Sequence, residues 1–277
     1  MYKSKNEKLN KMKNLILALL VLSLFASCRQ GCIDDKANNY ETKAKKDDGS
    51  CLYDMPQVTL SIDLLYSGSS IDIDQEITRN DGRKFITETF RFYLSNIVLV
   101  DDNNQETTLA DILLMNFDQS DTLYSSASSY TVSYGNYTKL KMDLGVAPEL
   151  NATDPVIYEP RHPLSIYSQM HWGWTTKYIF CKMDGRFNDG GGVFNGAFFY
   201  HAGFDVYYKT IPSIELDLPL GFGVDGDINL QIDLYELFNN QKDPIDLLIE
   251  GQTHTSDNEE LANRFLINLS EAIRLKN

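Results

Sequence analysis

The chain has 277 residues, a formal net charge of −14, 43% hydrophobic residues and four cysteines. That length can bury a sizeable core in one large domain. A surface this acidic repels nucleic acid and anionic lipid head groups and attracts cations, so no nucleic-acid partner is expected.

Residues 1–27 have the order of an export signal. Lys3, Lys5, Lys8, Lys11 and Lys13, against the single acid Glu7, run into the apolar stretch from Leu15 to Phe25. As a helix that stretch rises about 16 Å, roughly half the ~30 Å hydrocarbon core of a bilayer, so it is set aside from the fold as a signal peptide. Leu24-Phe25-Ala26-Ser27-Cys28 resembles the cleavage box of bacterial lipoproteins, which implies a diacylglycerol on the Cys28 thiol. The alternative is an ordinary signal peptide cut after Ala26 or Ser27. Loss of residues 1–27 removes five Lys and one Glu and takes the formal charge from −14 to −18. Later apolar runs are broken within about ten residues, so the lipid is the expected membrane anchor. The expected location is the periplasmic or cell-surface face of the outer membrane of a Gram-negative, Bacteroidetes-like bacterium.

Residues 28–56 form a leader bounded by cysteines, Cys32 and Cys51, with few large apolar side chains between them. In an oxidising compartment these two pair, because such a segment cannot hold itself folded otherwise. The Asp-Asp-Gly-Ser-Cys ending resembles short repeats of secreted Bacteroidetes proteins. Asp34, Asp35, Asp47 and Asp48 are oxygen donors of the kind Ca²⁺ takes. They lack a regular Asp-x-Asp-x-Asp spacing, however, and read instead as solvated acids on a stapled spacer. Cys181 is left as the odd thiol and alternates with Phe180 and Lys182 as a small apolar core residue.

Residues 57–277 carry the period-two signal of half-buried strands. Val58, Leu60, Ile62 and Leu64 alternate with polar residues, as do Leu140 to Leu144, Ile214 to Leu218 and Ile228 to Leu234. Further strands are predicted at about 88–100, 112–117, 129–134, 177–184 and 193–208, joined by Gly, Asn, Asp and Ser turns. One helix is predicted near the end, where Leu261, Phe265, Leu269 and Ile273 recur every four residues after Ser256-Asp257. The expected fold is mainly β, an antiparallel β-sandwich or barrel-like domain with a C-terminal helix capping an open end or edge.

Three strings concentrate rare residues: Phe92 to Ile97, Met170-His171-Trp172-Gly173-Trp174 followed by Lys177 to Phe180, and Phe198 to Gly203. With the loop Gly145-Val146-Ala147-Pro148-Glu149-Leu150-Asn151, they resemble, in order, the motifs of the MbnP-like family of bacterial exported proteins. The resemblance spans roughly Val58 to Ile273. It implies copper binding outside the cytoplasm through histidine, and in one branch a tryptophan oxidised to kynurenine by a partner di-haem peroxidase. On the matching positions His201 is the implied ligand, Trp172 or Trp174 the modified residue, and Met170 and His171 further candidates. Cys181, Met183 and His162 are substitute donors. Two departures stand out: no histidine lies between Cys28 and Arg161, where the copper-binding branch takes its second one, and Lys177 replaces a glycine. His162 and His254 read as loop residues. If the Met170–Trp174 string is extended, Trp172 and Trp174 share one face and His171 the other.

No nucleophile elbow, zinc-protease helix, phosphate loop or dinucleotide fingerprint occurs, so an enzyme is not expected. Two functions fit: a lipoprotein that handles copper, and a surface lipoprotein that captures a glycan or protein on the same fold without a metal.

Overall fold

The computed structural model describes residues 29–173 and 177–276. Two compact units divide the chain, Met1–Met55 and Pro56–Asn277. Cys28 and Trp174 lie outside the described residues, as does the signal segment.

In the first unit Cys32 and Cys51 are joined, as expected, with Cα atoms 4.8 Å apart. The acids around them cap turns. Asp34 accepts from the Lys36 N–H at 3.0 Å and the Tyr53 hydroxyl at 2.6 Å; Asp47 and Asp48 accept from the Gly49 and Ser50 N–H groups. The Tyr53 bond holds the Asp34 carboxyl below its usual range. These carboxylates order the turns beside the disulfide and hold the Tyr53 hydroxyl.

The described residues of the second unit form fourteen strands. In chain order they are β1 (Gln57–Tyr66), β2 (Ser69–Ser70), β3 (Glu76–Thr78), β4 (Lys84–Asp101), β5 (Glu106–Asn116), β6 (Ala127–Thr131), β7 (Gly135–Leu144), β8 (Cys181–Asn188), β9 (Gly196–Ala202), β10 (Lys209–Thr210), β11 (Ile214–Leu220), β12 (Gly226–Asp233), β13 (Gln252–Thr253) and β14 (Arg274–Leu275). They form a five-stranded and a nine-stranded sheet. The alternating apolar residues of β1 and β12 face those of β4, β7, β8 and β9 in one shared core, the two-layer arrangement expected of amphipathic strands. The 18-residue β4 organises the larger sheet. One edge pairs with β3 and β5; the other pairs with β8 over its first half and β7 over its second.

Two pairings are parallel: β1 with β12, and β9 with β13. Local alternation cannot reveal this, since it reports which face a residue takes and not which strand lies alongside. The predicted helix is present as Glu259–Ala272, with the Asn258 side chain accepting from the Leu261 N–H at its start. Phe265 stacks on Tyr200 of β9 with ring centroids 4.4 Å apart, fixing the helix to the sheet.

A second, smaller core ties the irregular segment between β7 and β8 to β4. Tyr93, Val146, Leu164, Met170, Tyr178 and Phe180 are all fully buried in it. Their hydroxyls pin loop carbonyls: Tyr93 donates to Pro163 O at 2.9 Å and Tyr178 to Leu164 O at 2.8 Å. The family strings meet here. Ser95 donates to Gly145 O at 2.6 Å. Gly145 has φ +108°, and a Cβ there would lie 2.5 Å from the Phe180 ring. The Asn151 side chain accepts from Tyr178 N–H and donates to Asp205. Ser95, Gly145, Asn151 and Tyr178, drawn from two of these strings and the loop, thus specify this junction.

Candidate functional site

Strand periodicity sorts the candidate donors onto two sides of the larger sheet. On β8, Cys181 and Met183 turn into the core, both fully buried, while Lys182 and Asp184 turn outward. On β9, Phe198, Tyr200 and Ala202 are buried, while Phe199 and His201 face outward. Cys181 and Met183 thus lie on the face opposite His201, and burial pushes the Cys181 thiol well up.

Beside β9 runs β13, in parallel register with Gln252 opposite Phe199 and Thr253 opposite Tyr200. Continuing that register by one residue brings His254 next to His201. The flanking threonines fix it there. Thr253 and Thr255 are fully buried; the Thr255 hydroxyl donates to His201 O and accepts from Gly203 N–H, both at 2.9 Å. Thr255 sits at φ +65°, a strained conformation for a β-branched residue that persists because these bonds hold it. His254 thereby faces outward. The imidazoles of His201 and His254 stand edge to face, 5.0 Å between centroids.

Trp172 completes the cluster, its ring 6.3 Å from His201 and 6.4 Å from His254, and Phe199 lies 4.4 Å from His254. A carboxylate orients each histidine: Asp184 meets His201 Nε2 at 2.6 Å, and Asp257 meets His254 Nδ1 at 3.2 Å. Burial pushes the Asp257 carboxyl up, but bonds from the His254 N–H and ring outweigh it and hold the carboxyl below its usual range. Lys182 stands 3.9 Å from Asp184.

The other sequence candidates are placed elsewhere. His171 packs on Tyr178 at 4.8 Å while Trp172 meets the histidine pair, the two-faced arrangement an extended string predicts. Met170 is buried in the smaller core. His162 stacks on Tyr158 at 4.0 Å, and its Nδ1 accepts from Leu164 N–H. Lys177, where the family has glycine, adopts φ +57°. A left-handed backbone at this position suits glycine better than lysine. His254, read from sequence as a loop residue, is the member of the cluster that the sequence did not reveal.

Among the described residues no group of three or more His, Cys, Asp or Glu side chains comes together to hold a metal ion. The nitrogen donors are a pair of imidazoles, each with one ring nitrogen engaged by a carboxylate. That is the way metal-bound histidines are usually oriented. It suits a borderline-to-soft ion that accepts few nitrogen donors, and it does not suit Ca²⁺, which needs an oxygen cage.

Fold and cluster together define a mainly β domain with a histidine–tryptophan group on an outer sheet face. The sequence profile of the MbnP family matches residues 55–256, and the chain belongs to that family. Among solved structures it is similar to MbnP from Methylosinus trichosporium, with 14% identity over 66% of this chain and 78% of that one, at a TM-score of 0.47. No curated protein sequence matches it.

Proposed function

We propose that this chain is an exported lipoprotein, anchored through Cys28, whose MbnP domain binds copper without catalysing a reaction. The observation that carries the reading is the pairing of His201 with His254, 5.0 Å apart and each backed by a carboxylate. His201 through Nδ1 and His254 through Nε2 would hold the ion. The second histidine that the copper-binding branch draws from early in the domain is supplied here from the segment just before the terminal helix. Bound copper would supply a positive centre stable with imidazole donors at neutral pH. Asp184 and Asp257 orient the rings; Phe199 and Trp172 shield one side. The acidic surface concentrates cations around the domain. Trp172 or Trp174 is the residue on which a di-haem peroxidase would act.

The test uses the full chain purified from membranes and titrated anaerobically with Cu(I) against a competing chelator. One ion per chain is expected, with affinity falling at least 100-fold in both His201→Ala and His254→Ala. Equal, weak binding by all three proteins would end the copper reading. Palmitate labelling, lost in Cys28→Ala, tests the anchor separately.

A further inference from the structure

The end of the β domain at which the chain enters it carries an exposed apolar tip. Pro56 O accepts from Val132 N–H at 3.0 Å, and Gln57 N–H donates to Asp225 Oδ1 at 2.8 Å. The parallel pairing of β1 with β12 starts at the same end, with Val58 opposite Gly226. The turn Gly221-Phe222-Gly223-Val224, which joins β11 to β12, therefore stands beside the entry point. Val224 N–H closes it on Gly221 O at 3.2 Å, and Gly223 takes φ +64°, a left-handed position that costs glycine nothing.

Phe222 is 54% exposed and Val224 48%. The half-buried ring of Tyr134 lies 4.5 Å from that of Phe222. Single exposed apolar side chains are ordinary, but two on one turn with a tyrosine against them make a contiguous patch. Its composition is that of a bilayer interface, where rings with an apolar body and a polar tip settle at head-group level. No Lys or Arg occurs in residues 131–138 or 217–229, so nothing at the tip attracts an anionic head group, and a chain of net charge −14 is repelled by one. Zwitterionic lipid is the surface that fits.

The tether gives a second reason, which rests on the lipid anchor at Cys28 proposed above. Fully extended, the chain from Cys28 to Pro56 would reach about 100 Å, but the Cys32–Cys51 bridge, with Cα atoms 4.8 Å apart, cuts the covalent path to at most about 37 Å. That is little more than the length of the ten-residue β1, about 33 Å. A domain held so closely by one end keeps that end nearest the bilayer. We propose that the Gly221–Val224 turn, with Tyr134, inserts into the interfacial layer of the zwitterionic membrane to which the chain is anchored.

Phe222→Cys supplies a labelling point in the full chain, because Cys181 is buried, Cys32 and Cys51 are joined, and lipid occupies Cys28 on that reading. The variant is labelled with a nitrobenzoxadiazole fluorophore and reconstituted in phosphatidylcholine vesicles containing a lipid spin-labelled high on its acyl chain. Palmitate incorporation is counted on the same preparation. Val206→Cys, at a 72% exposed position, is the control. It lies just before β10, which pairs with the end of β7, whereas the tip follows Leu220, opposite the start of β7. Quenching is expected to be at least threefold stronger at 222 than at 206, and to be at least halved by Val224→Asp or in phosphatidylglycerol vesicles. In palmitoylated protein, equal quenching at the two positions, no effect of Val224→Asp, or equal quenching in phosphatidylglycerol would overturn the proposal and leave the anchor standing. A label at 222 that responds to protein concentration in detergent and not to lipid would assign the tip to contact between copies and overturn it as well. Absence of palmitate would end both readings.

Discussion

Replacing Thr255 by valine removes one hydroxyl and keeps the β-branched shape, so it isolates what that hydroxyl does for the histidine pair. In the folded chain the Thr255 hydroxyl serves Gly203 N–H and His201 O, each at 2.9 Å. Water cannot take its place, because Thr255 is fully buried and valine fills the same volume. A stranded buried N–H costs about 1–3 kcal/mol and the lost bond to the carbonyl about 1 more, giving roughly 2–4 kcal/mol in all. Urea unfolding followed by tryptophan fluorescence should therefore show a lower midpoint at unchanged slope. Thr255→Ser, which keeps the hydroxyl, should retain most of the stability. The copper affinity should fall in the valine variant as well, since His254 loses its fixed neighbour. A loss below about 0.5 kcal/mol, or equal losses in both variants, would refute the role assigned to Thr255.

Four further outcomes follow from the geometry. Lys177→Gly should stabilise the domain by about 1 kcal/mol, because φ +57° costs a lysine what it does not cost a glycine, and thermal unfolding measures it. Gly145→Ala should destabilise by about 2–5 kcal/mol, since the new Cβ meets the Phe180 ring at a left-handed backbone position; chemical denaturation reads the loss. Cys181, buried with its thiol pKa raised, should not react with a thiol reagent in the folded protein. In denaturant one thiol per chain should appear if Cys28 is acylated and two if it is not. Burial lowers the pKa of both His162 and His171. Their neutral forms therefore stabilise the fold fully above the unfolded value near 6.5, and that contribution is lost as pH falls through the lower folded values. Melting temperature should drop between pH 7.5 and 5, and less so in a His162→Asn, His171→Asn double variant.

The parts of this molecule that were legible in its sequence are those governed by local chemistry. Alternation in Val58 to Leu64 and in Ile228 to Leu234 located β1 and β12, the four-residue spacing from Leu261 to Ile273 located the helix, and two cysteines around an apolar-poor segment located the disulfide. β4 begins four residues before its predicted start at 88, because Lys84 and Thr87 look polar although β3 and β8 flank them on either side. The predicted strand at 177–184 begins at Cys181, since Tyr178 to Phe180 are committed to the smaller core. His254 escaped notice for a different reason. It follows a two-residue strand whose partner lies more than fifty residues upstream in parallel, and the threonines on either side of it resemble a loop while being fully buried. A histidine held between two buried hydroxyl residues was the available clue, and nothing in local periodicity gives it weight.

The parallel pairing of β1 with β12 sets an order of events during synthesis. The side chain of Ser61 bonds to that of Asn229, 168 positions later, so the smaller sheet cannot close until β12 has emerged. Such distant partners make assembly slow. In the meantime the hydrophobic face of β1 stays open to whatever it meets. A product terminated before Gly226 would keep that ribbon without its proper neighbour, an exposed edge of the kind that seeds aggregates. Burial of β1 thus waits on a partner made long after it, and truncation ahead of β12 leaves that partner missing.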